Sequence, residues 1–290
     1  MKYAGLIGFP VAHSLSPRMQ QAAFDAIGIE ARYTLWETPA ASLTARIAAL
    51  RSPEILGANV TIPHKTAALA LIDVCDPLAA SVGALNTIVN RDGRLIGYNT
   101  DVPGFIRALA EEASHLFEAP TEQKRAVIVG CGGAARAAAV GLLEQGFKEI
   151  TLLGRNGAHL EALQHHLQQR KAPGETGAAI HTRQFDDSDL SSLLAGACLL
   201  VNATPVGLHE SDAPLPIEVA ALPASTVVMD LIFNPRETPL LRAVQERGCQ
   251  TINGLSMLLY QGALAFSCWT GMDAPVEAMR KALGCAAAPT

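Results

Sequence analysis

The sequence predicts an α/β protein in two domains, an N-terminal α/β domain whose chain is split and a second α/β domain inserted into it. Three observations predict this. At 290 residues the chain is long for one compact core. Its first third alternates strand-like and helix-like patterns, as expected of α/β layers. Its middle carries Ala126-Val127-Ile128-Val129-Gly130-Cys131-Gly132-Gly133-Ala134-Ala135-Arg136, a β-branched strand entering a glycine turn and then a helix of small residues that runs to Leu143.

Composition excludes several classes. The chain has 22 Lys and Arg against 27 Asp and Glu, a net charge of −5, so it lacks the basic imbalance of a nucleic-acid binder. No window has the uninterrupted apolar length of a membrane helix, and Met1 to Pro10 breaks its apolar run with Gly and Pro, reading as a first strand and not a signal peptide. Cys75, Cys131, Cys198, Cys249, Cys268 and Cys285 form no C-x-x-C pair, which points to buried free thiols in a reducing cytoplasm and to no metal site. The spacing shows no internal repeat.

In order, Tyr3 to Gly8 reads as a strand, and Pro17 to Ile27 as a helix with Ser16 placed to cap it. Arg32 to Glu37 is a strand, Ala40 to Leu50 a helix, Leu56 to Val60 a strand and Pro63 to Ile72 a helix, which together predict a parallel sheet. Leu85 to Asn90 and Leu95 to Tyr98, joined through Asp92-Gly93, read as a hairpin. A helix from Asp101 through Ala110 leaves this domain, and Glu118 to Glu122 is the expected linker. After the glycine turn come strand Glu149 to Leu153, helix His159 to Gln169, a polar Gly/Pro connection, strands Ile180 to Phe185, Cys198 to Asn202 and Val227 to Leu231, and helix Pro239 to Arg247. Leu255 to Trp269 is too apolar for a surface helix and is expected to pack back on the N-terminal domain, followed by an amphipathic helix Pro275 to Leu283.

The glycine turn fits the dinucleotide fingerprint G-x-G-x-x-G/A. Gly130 permits the turn, Gly132 lets backbone approach a pyrophosphate, Ala135 lets the helix pack on the strand, and Gly133 and Ala134 open a helix N-terminus toward phosphate, with Cys131 between the glycines. Alone, such a triplet also fits a plain strand-to-helix turn; the following strand at Glu149 completes the strand–helix–strand unit. That strand ends in Gly154-Arg155-Asn156, without the acid that NAD-specific sites place there, so Arg155 and Asn156 point to NADP, with NAD as the lesser alternative. Arg155 also fits a solvated residue that merely opens the next helix.

Polar clusters fall at the ends of the N-terminal domain's strands, where open α/β sheets bind ligands: His13-Ser14-Leu15-Ser16-Pro17, Asn59-Val60-Thr61-Ile62-Pro63-His64-Lys65, Gly83-Ala84-Leu85-Asn86-Thr87 and Gly97-Tyr98-Asn99-Thr100-Asp101. Ser14, Ser16, Thr61, Asn86 and Asp101 would surround a small polyhydroxylated molecule. On the residues alone, Ser16 serves equally as a cap, Asn86 as a turn residue and Lys65 as a surface lysine. His64 reads as a packing or solvent-facing residue, and His13 as one that orders its loop.

Taken together, H-S-L-S-P from His13, N-V-T-I-P-H-K from Asn59, G-A-L-N-T from Gly83, N-T-D from Asn99, G-C-G-G-A-A from Gly130 and G-L-S-M-L-x-x-Q from Gly254 resemble the shikimate dehydrogenase family over nearly the whole chain. The resemblance implies reversible NADP-dependent reduction of 3-dehydroshikimate to shikimate, a step toward the aromatic amino acids, with a small-molecule substrate as partner. It implies Ser14 and Ser16 on the substrate carboxylate, Thr61, Asn86 and Gln261 on its hydroxyl face, Lys65 and Asp101 as the catalytic pair, and Leu231 and Gly254 beside the cofactor. Residues 1–101 with 255–290 then form the substrate domain, and 102–254 an inserted Rossmann-type NADP domain, with the active site expected in the cleft between them. A cytoplasmic monomer or homodimer follows from the same reading.

Two positions depart from the family pattern: Phe233 stands where many members have a tyrosine, and Ser256 replaces the glycine of G-L-G-M. Two alternatives remain open at this point, a quinate/shikimate dehydrogenase or paralogue acting on a related, for example amino-substituted, ring, and an inactive cofactor-sensing regulator.

Overall fold

The computed structural model describes residues 1–169, 177–208 and 213–284, and the chain divides into two units, Met1–Phe105 with the segment from Ser256 onward, and Ile106–Leu255. Cys285 and most of the polar Gly/Pro connection after Gln169 lie outside the described residues.

The first unit runs β1 (Lys2–Gly8), α1 (Ser16–Ile27), β2 (Ala31–Glu37), α2 (Leu43–Ala49), β3 (Ile55–Val60), β4 (Val74–Cys75), α3 (Pro77–Val82), β5 (Thr87–Arg91), β6 (Arg94–Tyr98) and the start of α4 (Asp101–Ala113). Its six-stranded sheet has the order β2-β1-β3-β5-β6-β4. The strands β1, β2 and β3 are parallel and β5 and β6 form an antiparallel hairpin, both as expected; β5 also pairs antiparallel with β3, so the sheet is mixed. The hairpin has a local cause: Asp92 and Gly93 both adopt positive φ, 52° and 86°, and this mirror-image turn folds β6 back on β5.

The reversal has a functional consequence. Because β5 runs against β3, its first residue, Thr87, pairs with Asn59 near the end of β3 and with Tyr98 at the end of β6. The Asn59, Asn86 and Asp101 clusters therefore meet at one end of the sheet's central strands.

Three expectations are corrected. No α-helix spans Pro63 to Ile72; the chain makes only a 3₁₀ segment at Ala67–Leu71, because the Lys65 carbonyl accepts the Leu85 N–H at 2.9 Å instead of a helical partner. Ser16 is not a cap but the first residue of α1, and its own N–H donates to the Ser14 hydroxyl at 3.2 Å. The stretch Ala40 to Leu50 divides into a 3₁₀ turn and α2. The short α3, absent from the expectation, begins at an Asp-Pro pair in which the Asp76 carboxylate accepts the Leu78 N–H.

The second unit runs from the rest of α4 through α5 (His115–Glu118), β7 (Arg125–Val129), α6 (Gly133–Glu144), β8 (Glu149–Gly154), α7 (Gly157–Gln168), β9 (Ala179–Gln184), α8 (Leu190–Ala195), β10 (Leu199–Asn202), β11 (Val227–Asp230), α9 (Pro239–Gln245) and β12 (Gln250–Ile252). All of its strand pairs are parallel, in the order β12-β11-β10-β7-β8-β9. The order reverses between β7 and β10, the switch point at which such sheets bind dinucleotides. Burial on both faces explains the unbroken apolar runs of these strands, all four residues of β10 and of β11 being buried. The stretch Glu118 to Glu122 is no free linker: it lies inside this unit, and Lys124 anchors it by donating to the Phe117 and Gln145 carbonyls at 2.8 and 3.2 Å.

The chain then returns to the first unit as α10 (Leu255–Thr270) and α11 (Val276–Leu283). Phe266 packs on Phe24, and the Trp269 indole N–H donates to the Ile88 carbonyl at 3.0 Å. The Gln20 side-chain amide donates to the Gly262 carbonyl at 2.9 Å. Each buried aromatic here contributes about 2–3 kcal/mol of apolar burial, which is why so apolar a helix belongs to this core.

Candidate active site

At the end of the central strands of the first unit, Lys65 donates from Nζ to Asp101 Oδ2 at 2.6 Å, the lysine side chain 14% and the aspartate 4% exposed. Asp101 opens α4, where a carboxylate is favoured by the helix dipole. Its other oxygen, Oδ1, accepts from Asn86 Nδ2 at 2.9 Å. Asn86 also donates to the Thr100 hydroxyl and to Gln261 Oε1, at 2.8 and 3.2 Å, and its Oδ1 accepts the Thr100 N–H at 2.7 Å. The neighbouring Asn99 holds the corner: it donates to the Ala84 carbonyl and accepts the Val102 N–H, so it ties the Gly83–Thr87 segment to the start of α4. Lys65, Asn86, Asp101 and Gln261 are thus brought together.

Behind this group lies a second layer. Asn59 donates to the Asn86 carbonyl and to the Thr87 hydroxyl, at 3.3 and 3.2 Å, and accepts from the Tyr33 hydroxyl at 2.8 Å. Ser16 is buried and its side chain meets the same tyrosine oxygen, while Ser14 is half-buried at the preceding turn. Thr61 follows β3 directly, and its N–H donates to the Ile7 carbonyl at 2.8 Å, so its loop is stapled to the end of β1. His13 is exposed. His64 is buried and hydrogen-bonded through Nε2 to the Thr38 carbonyl at 2.6 Å, which overturns a solvent-facing placement and supports the packing one.

In the second unit the glycine turn is built from backbone. Gly130 has φ 117°, a conformation that disfavours a side chain, and its N–H donates to the Leu153 carbonyl at 2.8 Å. A Cβ on Gly132 would meet no protein atom within 4 Å. No side chain caps α6, and its first internal bond runs from Arg136 N–H to the Gly132 carbonyl, so Gly133, Ala134 and Ala135 present N–H groups to that open side. This cradle fits a dinucleotide pyrophosphate. Burial pushes the half-buried Cys131 thiol above its ordinary range, with Arg136 opposing, which keeps it a neutral thiol in the turn.

Arg155 is exposed at the end of β8, while Asn156 caps α7 by accepting the His159 N–H at 3.1 Å, so the carbonyl end of its amide is already committed. Gly154 sits against Leu160, which a Cβ would approach to 3.3 Å. Gly254 is required by close approach: a Cβ there would lie 2.2 Å from the Leu231 carbonyl oxygen. Phe233 is half-buried.

Two groups stand out that the sequence analysis did not single out. Asp230, at the end of β11, accepts from Asn202, the Ile232 N–H and the Thr238 hydroxyl at 3.0, 3.1 and 2.7 Å, tying together the loops that follow β10 and β11; burial raises its carboxyl. A polar residue ending a fully apolar strand was the available signal. Tyr33 gave none, since its partners lie far away in sequence. Of the described cysteines only Cys249 is buried, Cys75 being exposed and the others intermediate, which corrects the expectation of buried thiols; all five are free.

A side-chain network carrying a lysine–aspartate pair on one unit, and a parallel sheet with a glycine-turn cradle on the other, define the class: a two-domain α/β protein of the dinucleotide-dependent dehydrogenase type. Residues 6–88 match the shikimate dehydrogenase substrate binding domain, and residues 254–283 match the shikimate 5′-dehydrogenase C-terminal domain. A shikimate dehydrogenase (NADP(+)) of Symbiobacterium thermophilum is 43% identical over 279 residues, covering 96% of this chain and 92% of the relative. The chain belongs to the shikimate dehydrogenase family.

Two solved structures place the fold. The Thermus thermophilus shikimate 5-dehydrogenase, in complex with NADP(H) and shikimate, is 35% identical with a TM-score of 0.81 over 98% of this chain and 99% of its own. A quinate dehydrogenase from Corynebacterium glutamicum, in complex with NAD, is 30% identical with a TM-score of 0.84 over 97% and 98%. No helix among the described residues is long and apolar enough to cross a membrane.

Proposed function

We propose that this chain interconverts shikimate and 3-dehydroshikimate with NADP as the hydride carrier, using Lys65 and Asp101 as the catalytic pair. The observation that carries this reading is the nearly buried Lys65–Asp101 contact at 2.6 Å, joined to Asn86 and Gln261 at the end of the central strands. The chemistry the dinucleotide supplies when bound is hydride transfer to or from the ring carbon.

The residues supply the rest. In the reducing direction Lys65 Nζ donates a proton to the carbonyl oxygen as negative charge develops there, and in the oxidising direction the amine takes the hydroxyl proton back. Asp101 holds the lysine in place through Oδ2, and Asn86 holds Asp101 through Oδ1, so the ammonium is aimed before substrate arrives. Ser14 and Ser16 bind the ring carboxylate, and Thr61, Asn86 and Gln261 sort its hydroxyls. For the cofactor, the N–H groups of Gly133 and Ala134 receive the pyrophosphate beside Gly130, Cys131 and Gly132. Arg155 and the amino end of Asn156 receive the 2′-phosphate, and Leu231 and Gly254 line the nicotinamide side. Residues 1–101 with 255–290 act as the substrate domain and 102–254 as the cofactor domain. Free thiols support the cytoplasm as the place of work.

A second reading, turnover of quinate, draws on Phe233, which lacks the hydroxyl many family members present, and on the quinate dehydrogenase that shares this fold. The test of the first reading is Lys65→Ala. Its kcat for shikimate oxidation falls by about 10²-fold or more, the scale of losing a positioned acid/base, while substrate affinity changes less. A folded variant with near-wild-type kcat would remove Lys65 from the chemistry.

A further inference from the structure

Tyr33 stands on β2, two strands away from Asn59 on β3, and is 4% exposed. Its ring lies against Trp269 at a centroid distance of 6.0 Å, and its backbone N–H is held by Gln21 Oε1 at 3.1 Å. Its hydroxyl is the one polar atom of the ring, and it donates to Asn59 Oδ1 at 2.8 Å. That donor fixes the carbonyl end of Asn59. With its carbonyl end facing the phenol, Asn59 must turn its amino end to the Thr87 hydroxyl, at 3.2 Å. Thr87 then donates to Asn86 Oδ1 at 3.3 Å, beside the Thr100 N–H that donates to the same oxygen at 2.7 Å, and the two hold the Asn86 amino end toward Asp101 Oδ1. The chain of donors ends on the carboxylate that holds Lys65. On its other side the phenol oxygen meets the Ser16 side chain.

We infer that Tyr33 is a positioning residue, which holds the Ser16 loop and the Lys65–Asp101 pair in one register through this buried hydrogen-bond chain. The inference rests on the function proposed above for those residues. Burial drives the phenol far above its ordinary titration range, with Ser16 opposing, so Tyr33 remains a donor throughout the working pH range. Without that donor the buried Asn59 carbonyl would be left unpaired, which loosens the amide whose amino end meets the Thr87 hydroxyl and the Asn86 carbonyl.

Tyr33→Phe preserves the ring against Trp269 and deletes only the hydroxyl. With shikimate and NADP, it lowers kcat by about tenfold and raises KM for shikimate several-fold, the scale of one buried polar group left unpaired. Thr87→Val breaks the side-chain link between Asn59 and Asn86 without touching Ser16, so it lowers kcat about as far as Tyr33→Phe but raises KM less. The kcat losses of the double variant are less than multiplicative, since both break one chain. A merely structural tyrosine would produce neither the kcat–KM split nor the coupling.

A second readout is independent of turnover. The Asn86 side-chain amide protons, slow to exchange in the wild type by NMR, exchange faster in both variants. Wild-type kcat, KM and Asn86 protection in Tyr33→Phe overturn the inference. If that variant fails to fold, Thr87→Val decides, and unchanged kcat with unchanged Asn86 exchange overturns it. A wild type inert toward shikimate and NADP would instead defeat the proposed function, while the Asn86 amide would still report whether the chain exists.

Discussion

The two units build their candidate sites from different materials. In the first, the site is made of side chains that hold other side chains: Tyr33 orients Asn59, Asn59 and Thr87 orient Asn86, and Asn86 orients Asp101 against Lys65. In the second, the cradle is backbone, an uncapped helix N-terminus behind a turn that Gly130 makes possible, with Arg155 exposed at its rim. The difference suits the ligands. A ring whose hydroxyls must be told apart calls for donors and acceptors at fixed angles, whereas a pyrophosphate is met by N–H groups and a dipole that any sequence can supply once the turn is right. The first site is therefore sensitive to small polar changes deep in the core, and the second to changes of backbone and of rim charge.

The sharpest way to break this contrast is Asn86→Ala. The substitution removes donors to Asp101, Thr100 and Gln261 and strands the Thr100 N–H, all at a side chain that is itself buried. It costs about 2–3 kcal/mol of stability for buried groups left unpaired, and lowers kcat by well over tenfold because Asp101 loses its second anchor. Urea denaturation and steady-state rates check both. A variant as stable and as active as wild type would mean that the side-chain network does not organise the site.

Next in size is Arg155→Ala on the other unit. A guanidinium paired with a 2′-phosphate at an exposed rim contributes about 1–1.5 kcal/mol after solvent screening, so kcat/KM for NADP falls about tenfold. Rates with NAD stay where they were, and so does stability. Equal losses with both cofactors would show that Arg155 serves the turn and not the phosphate.

Smallest is Phe233→Tyr. One restored hydroxyl that finds a partner contributes on the order of 1 kcal/mol, so KM for shikimate drops several-fold with kcat unchanged. An unchanged or higher KM would indicate a pocket shaped around a different ring.

The same contrast explains how much is legible from residues alone. The parallel sheet of the second unit is readable because each of its signals is local: a β-branched run, a glycine turn, a helix of small residues, and then the next strand. The clusters carrying Ser14, Thr61, Lys65, Asn86 and Asp101 are readable as motifs, yet not their assembly. Asn59 meets Thr87 only because β5 runs antiparallel to β3 after the long connection from Thr61 to Asn86, a tertiary fact that strand-by-strand reading does not contain. The segment after Pro63 reads wrongly as a helix for a related reason: its apolar spacing is helical, but the Lys65 carbonyl is taken by Leu85. Tyr33 is invisible altogether, one aromatic in an ordinary strand until Asn59 is brought beside its hydroxyl.

The central claim is that a shikimate-shaped side-chain site and an NADP-shaped backbone cradle serve one reaction. Initial rates on the purified wild type with shikimate or quinate, each with NADP or NAD, test it most directly. The account predicts the highest kcat/KM for shikimate with NADP, and a lower value when either component is exchanged. A preference for quinate with NAD, or no turnover with any of the four pairs, would contradict it.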